Sequence, residues 1–445
     1  MKSDRPYCDK INRREFMRVG AAGVMGVHLT LPMLLQRQAQ AAVNGAAPSD
    51  VSVIIVFLMG GPSAIDTFDM KPQAPLDIRG EFRPMATKAP GIQICDLLPR
   101  VAGQMDKFSL LRGFTHGNSG HGGADHYMLT GYDTRAGFNP KLTPNNQFPS
   151  YGSMIAHKLG PRGSAPPYVC LPMMHNSAGS AYLGASAVPF TIDADPNAPN
   201  FAVPDLAPPM ALDSHRVENR HELLAHVDRY RRTAEIASNA SAREVSTFGQ
   251  RAVELMTSPS ARRAFDIGSE SASLRDEYGR TTLGQSCLMA RRLVESGVRC
   301  VTIDHANWDT HYNNFSVLKT ELLPQLDAAM STLFRDLCDR GMLQKTMVIV
   351  TGEFGRTPRI NKDAGRDHWS KCFTVCVGGG GIAGGRVVGK SNKWGEEPDE
   401  GATGPEDLAA TLYHQLGINP AEEIMTPEGR PVAITNRGRI IRELL

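Results

Sequence analysis

The run Val51–Met59 (VSVIIVFLM) constrains the fold of this chain more than any other stretch. It is apolar without alternation and rich in β-branched residues, so as a strand it needs cover on both faces. A mainly parallel sheet with helices on either side supplies that cover. Gly60-Gly61-Pro62 then forces a sharp exit into a loop. Shorter apolar runs at Phe108–Leu111, Tyr168–Leu171, Val298–Ile303, Thr346–Thr351 and Phe373–Val377 read as further strands. Helical periodicity appears at Thr282–Ser296, Leu318–Arg340 and Glu406–Leu416, with Gly341 and Gly417 as stops. Strands and helices in alternation predict an α/β fold, with a central, mostly parallel sheet flanked by helices. Residues 186–214 are rich in Ala, Pro and Asp, and 215–280 are charged without a strong apolar stripe. The segment 175–280 is therefore expected as a helical or irregular insertion in a single domain spanning 42–445.

Residues 1–41 follow a different logic. Asn12-Arg13-Arg14-Glu15-Phe16-Met17-Arg18 resembles the twin-arginine export signal. A moderately apolar run from Val19 to Leu35 follows, and Ala39-Gln40-Ala41 suits cleavage before Ala42. A transmembrane anchor fits less well, because the run is short and contains His28 and Pro32. The expectation is a periplasmic or extracellular protein that meets the twin-arginine translocase during export and keeps no stable membrane anchor. The whole chain carries a formal charge of +2, and removing a segment with a surplus of four positive charges leaves −2. No polybasic tract remains, which argues against a nucleic-acid partner. Of the eight cysteines, Cys8 lies in the signal and the others are scattered in apolar runs. They read as buried thiols, not as a disulfide framework.

In open α/β sheets, ligands bind beyond the carboxyl ends of the strands. Four such places are loaded with polar residues. The loop after the first run holds Ser63, Asp66 and Asp69, which serve either a turn and helix cap or a site. After Phe108–Leu111 come His116, His121, Asp125 and His126 in a glycine-rich loop, a density of imidazoles that suits a divalent metal or an anion. After Val298–Ile303, Asp309 and His311 lie two apart, so on an extended segment both face one side. After Thr346–Thr351 come Glu353 and Arg356, then Arg366, Asp367 and His368 before the next strand. An arginine there could hold an oxyanion through a two-pronged contact. The glycine-rich stretch Gly379–Gly384 has no helix after it and reads as a strand exit.

Several of these pieces, in order, resemble one bacterial family, called domain of unknown function 1501 and placed in the alkaline phosphatase/sulfatase-like superfamily. They are GGPSAIDTFDMKP (60–72), MLTGY (128–132), ARRLVESGVRCVTID (290–304), NWDTH (307–311), GMLQKTMVIVTGEFGRTP (341–358), GRDHW (365–369) and GRPVAITNRGRII (429–441). The resemblance implies an alkaline phosphatase-like sheet with one or two divalent metals at its strand tips, and hydrolysis of a phosphate or sulfate ester. It places Asp309 and His311 at the first metal, Glu353 at a ligand position, Phe354 where a second ligand is usual, and His368 at a later metal ligand. Counting back from Leu129-Thr130-Gly131, His121 stands where that superfamily has its nucleophile. Gly60 or Gly61 replaces the carboxylate that ends the first strand, unless Asp66 or Asp69 folds back. A metal-activated water, Ser63 or Ser119 could then attack, or catalysis is lost.

The expectation is an exported metal-dependent hydrolase acting on an anionic small-molecule or glycan ester. Its predicted metal ligands are Asp309, His311, Glu353, His368, His121 and Asp66, and its catalytic groups His121, Asp125, Arg356 and Ser63. Zinc is the first choice of metal, with calcium, magnesium or manganese as alternatives. The alternative function is a non-catalytic, metal-containing scaffold on the same fold.

Overall fold

The computed structural model describes residues 50–203 and 258–445. The twin-arginine-like segment and the middle of the expected insertion lie outside these residues. Eight strands form the central sheet: β1 (Ser52–Leu58), β2 (Phe108–Phe114), β3 (Tyr168–Leu171), β4 (Phe190–Thr191), β5 (Cys300–His305), β6 (Thr346–Thr351), β7 (Phe373–Gly378) and β8 (Val387–Val388). Their spatial order is β8-β2-β7-β6-β1-β5-β3-β4. β1 sits in the middle, parallel to both β5 and β6, and is buried at every position. That is the environment its unbroken apolar pattern requires.

Alternate residues of β1 feed two separate cores. Ile54, Val56 and Leu58 join Leu283, Leu288 and Leu293 of α3 (Thr282–Glu295) and Leu326, Met330 and Leu333 of α4 (Leu323–Asp339). Val53, Ile55 and Phe57 face the other way, onto Met128 and Leu129 of α1 (His121–Thr130), Met154 of α2 (Tyr151–Leu159), and Leu408 and Leu412 of α5 (Pro405–Gln415). Each such side chain contributes about 1.5–3 kcal/mol by leaving water. A charge at Val56 would therefore break the cover of a whole face.

β7 is the one reversed strand, antiparallel to both β6 and β2. Its amino end therefore lies at the edge where the neighbouring strands end. The loop before β7 and the loops after β1, β2, β5 and β6 consequently share one rim of the sheet.

The structure departs from the sequence reading in two places. The stretch from His121, read as a His-rich loop, is helix α1. Its glycines at the first turn hide helical propensity. Within the expected insertion, Phe190–Thr191 forms edge strand β4 beside β3, and Phe265 and Tyr278 are buried in the first core. Six of the seven described cysteines are buried and all are free, as the apolar context suggested. Among the described residues no helix is long and apolar enough to cross a membrane.

Candidate metal centre

Backbone shape at the tip of β1 sets the geometry of the rim. Gly60 has φ +113°, and a Cβ there would sit 2.3 Å from the Asp309 backbone nitrogen. Gly61 has φ +84°, and a Cβ there would strike the Phe354 ring. Only glycine lets the β1 tip pass this close to the loops after β5 and β6. A two-residue ribbon then pairs Gly355–Arg356 with His368–Trp369, placing His368 opposite Arg356.

Three imidazoles converge there on one carboxylate. His311 Nε2 lies 3.1 Å from Asp309 Oδ1, and His368 Nε2 lies 3.2 Å from the same oxygen. The two Nε2 atoms are 3.0 Å apart. His121 Nε2 approaches the other oxygen, Oδ2, at 3.3 Å. The rear nitrogen of each ring is occupied by an acceptor. His121 Nδ1 donates to Glu353 Oε1 at 2.6 Å, His311 Nδ1 to Asp367 Oδ1 at 2.7 Å, and His368 Nδ1 to the Ser119 carbonyl at 2.9 Å. Those acceptors fix the ring protons at Nδ1 and leave the three Nε2 lone pairs facing inward. Phe354, fully buried, stacks on His368 at 4.5 Å and backs His121 at 5.1 Å, so the rings cannot swing freely.

Lone pairs and a carboxylate oxygen packed this tightly repel one another unless a positive charge joins them. Asp309 Oδ1, His311 Nε2 and His368 Nε2 form a triangle with edges of 3.0–3.2 Å. A tetrahedral zinc with ligands at about 2.0–2.1 Å spaces neighbouring donors about 3.3–3.4 Å apart, so the triangle is nearly one face of such a site. His121, Asp309 and His368 likewise place ligand atoms within 4.8 Å of one another. The donor set fits a divalent ion that accepts nitrogen.

The local charges follow from these contacts. Burial works against ionisation of Asp309, but the Arg356 hydrogen bond and charge, with His121 and His311, hold it below the usual carboxylate range. The Glu353 hydrogen bond raises the His121 pKa, against the opposing effect of burial. Burial lowers that of His368, and the charges of His121 and Arg356 add to the effect.

Other predicted site residues have different partners. Glu353, expected as a ligand, is fully buried behind His121, and both its oxygens accept from the Gly60 amide at 3.0 Å. It orients His121. Arg356, expected to clamp substrate, is turned inward: it donates to the Gly60 and Gly61 carbonyls, the Arg366 carbonyl and Asp309. Asp66, expected as a ligand, is bound by Arg366 at 2.7 and 2.9 Å and by Asn314 at 2.9 Å, with no exposed surface. Ser63 is 2% exposed and cannot meet a substrate. His116 donates to the Glu353 carbonyl at 2.7 Å, and His126 binds backbone groups within its own neighbourhood.

Asp125, a predicted acid or base, is buried with Asp304 beneath the rim, and each has one oxygen without a hydrogen-bond partner among the described residues. Burial, then the Glu353 charge, pushes the Asp304 pKa up to about 7. Burial, Glu353 and Asp304 push that of Asp125 well above the ordinary carboxylate value. The Asp367 contact with His311 and the Ser119 carbonyl escaped the sequence reading. Asp367 sits inside the GRDHW motif but offers no clue to its partner, and a carbonyl has no sequence signature.

Comparison with curated protein sequences gives no match. Among solved structures, the chain is similar to a protein in the alkaline phosphatase superfamily from Vibrio parahaemolyticus, with 10% identity, TM-score 0.40, and coverage of 84% of this chain and 67% of the other. It is similar to the PsFucS1 sulfatase from Pseudoalteromonas sp. at 12% identity and TM-score 0.36, covering 86% and 70%. A phosphonate monoester hydrolase of Agrobacterium radiobacter matches at 11% identity and TM-score 0.34, covering 88% and 77%. The model of the family described as a protein of unknown function, DUF1501, matches residues 50–445, and the chain belongs to that family.

Proposed function

We propose that the protein is a metal-dependent hydrolase of phosphate or sulfate esters, acting after export through the twin-arginine pathway in the periplasm or outside the cell. One observation carries the reading: the three Nε2 lone pairs and Asp309, each ring locked from behind, converge on one point at the strand-tip rim. Asp309, His311 and His368 would hold the metal, leaving room for substrate. Nitrogen donors favour zinc, with manganese next, over the oxygen-seeking calcium and magnesium. The ion would supply a Lewis acid for an ester oxygen. His121, held by Glu353, provides a basic nitrogen beside it, and the first-turn amides of α1 provide donors for anionic oxygens. The substrate is then an anionic small molecule or a glycan ester.

The inward-turned Arg356 favours a second reading, a non-catalytic metal scaffold, because the guanidinium best placed to grip an anion has its donors occupied. Metal analysis of the purified chain, followed by aryl phosphate and aryl sulfate assays, separates the two. The hydrolase reading expects bound zinc and turnover that disappears in His311→Ala. Bound metal with no turnover of either ester class supports the scaffold.

A further inference from the structure

We propose that Thr310 is a positioning residue: its hydroxyl fixes the turn that folds Asp309 and His311 onto one ion, and Asn314 joins that turn to the buried Asp66–Arg366 pair. The inference rests on the metal centre of the reading above and needs no ester to be turned over.

Thr310 stands between two of the residues that would hold the metal. The Thr310 amide donates to the Trp308 carbonyl, and the His311 amide to the Asp309 carbonyl, both at 3.0 Å. Two successive bonds of such short span make a tight turn, and the turn brings the His311 ring to 3.1 Å from Asp309 Oδ1. A turn of this kind has little of its own to hold it, so its shape must be set from outside.

A closed ring of hydrogen bonds does so. The Thr310 hydroxyl donates to Asn314 Oδ1 at 2.6 Å, and Asn314 Nδ2 donates to Asp66 Oδ2 at 2.9 Å. Arg366 grips both Asp66 oxygens at 2.7 and 2.9 Å, and its own amide returns to the Thr310 carbonyl at 3.1 Å. The ring thus begins and ends on Thr310. Its donors have one consistent order. The Asp66 carboxylate, paired with a guanidinium, only accepts, so Asn314 must show it the amide nitrogen. Oδ1 then faces Thr310, whose hydroxyl must donate. Asp66, Asn314 and Arg366 have no exposed surface and Thr310 almost none, so water cannot stand in for a missing member.

The same strand-exit loop presses on the turn directly. A Cβ at Gly365 would sit 1.8 Å from the His311 carbonyl oxygen. The Arg366 carbonyl, on the far side of that residue, accepts from Arg356, which also holds Asp309. Both metal-facing side chains of the turn are therefore referred back to one buried ion pair.

The test uses the full chain, with zinc affinity read by competition with a chelating dye and cobalt(II) as a spectroscopic substitute for zinc. Thr310→Val keeps the branched shape and removes the hydroxyl. Its zinc affinity should fall about 10–100-fold, and the visible bands of its cobalt-saturated form should differ from those of the parent. Thr310→Ser, which restores the hydroxyl, should return both to the parent's values. A hydroxyl that only stabilises the fold would lower metal-free stability and leave the cobalt spectrum unchanged. That result overturns the inference, as does parent-like zinc affinity in Thr310→Val or a Thr310→Ser that binds as weakly as Thr310→Val. Thr310→Ala is read by the same criteria if Thr310→Val does not fold. A parent that binds neither zinc nor cobalt overturns the metal centre itself, which is a separate failure.

Discussion

Arg356 and Arg366 lie ten residues apart, and both are buried. Each reaches an aspartate in another strand-tip loop, yet the two pairs do opposite things. Arg366 and Asp66 have no exposed side-chain surface, and Asn314 donates a third hydrogen bond, to Asp66 Oδ2. That pair is sealed and ties the β1 loop to the loop before β7. Arg356 is equally enclosed, but its partner Asp309 is 43% exposed and faces three imidazoles. There the arginine props up a carboxylate that still has oxygen surface to offer. Burial of the acid, not the presence of the arginine, separates a staple from a carboxylate still open to a ligand role.

The largest effect should come from breaking the sealed pair. Arg366→Ala leaves Asp66 buried and uncompensated, which costs about 3–5 kcal/mol. Denaturant unfolding should show that loss whether or not zinc is present. If the variant were as stable as the parent, the contrast between the two pairs would collapse.

Asp304 gives the next effect, through pH. Its folded pKa, about 7, stands above the ordinary aspartate value of 3.8, so the folded chain binds the extra proton. The stability it contributes is full below the unfolded pKa and disappears as pH rises through the folded value. In the zinc-free protein, Asp304→Asn should therefore be near-neutral at about pH 4 and stabilising by up to a few kcal/mol above about pH 7. Unfolding curves at the two pH values measure the difference. An unchanged pH profile would show that the acid is not held neutral.

A smaller effect is expected at the open pair's surroundings. Asp367→Asn loosens His311 without removing a ligand, and zinc affinity should fall about 10–100-fold. Zinc-free stability should stay within about 0.5 kcal/mol, because Asp367 is 55% exposed. Competition with a chelating dye reads the first quantity, and unfolding of the zinc-free protein reads the second.

Much of the framework was legible in the sequence. β3 and β6 begin and end where their apolar runs do, because buried parallel strands leave an unbroken pattern. Helix α1 was hidden by Gly122 and Gly123, whose packing against Pro140 and Asn118 depends on the tertiary structure. At the site, Asp309 and His311 meet across a turned segment, with the His311 amide donating to the Asp309 carbonyl at 3.0 Å, where the spacing alone suggests an extended one. Nothing in the sequence could show that Glu353 and Arg356 would face inward, because that depends on the close passage of Gly60 and Gly61 over their loops. Asp66 and Asp309 are the same residue type in similar loops. Only their partners distinguish them.

The most direct test of the central claim is the zinc content of the full chain and of a His311→Ala/His368→Ala variant, with folding of each checked by circular dichroism. One zinc per chain in the parent, and none in a variant that still folds, is the predicted result. A parent that binds no divalent metal after zinc loading, or a folded variant that retains its zinc, would contradict the account.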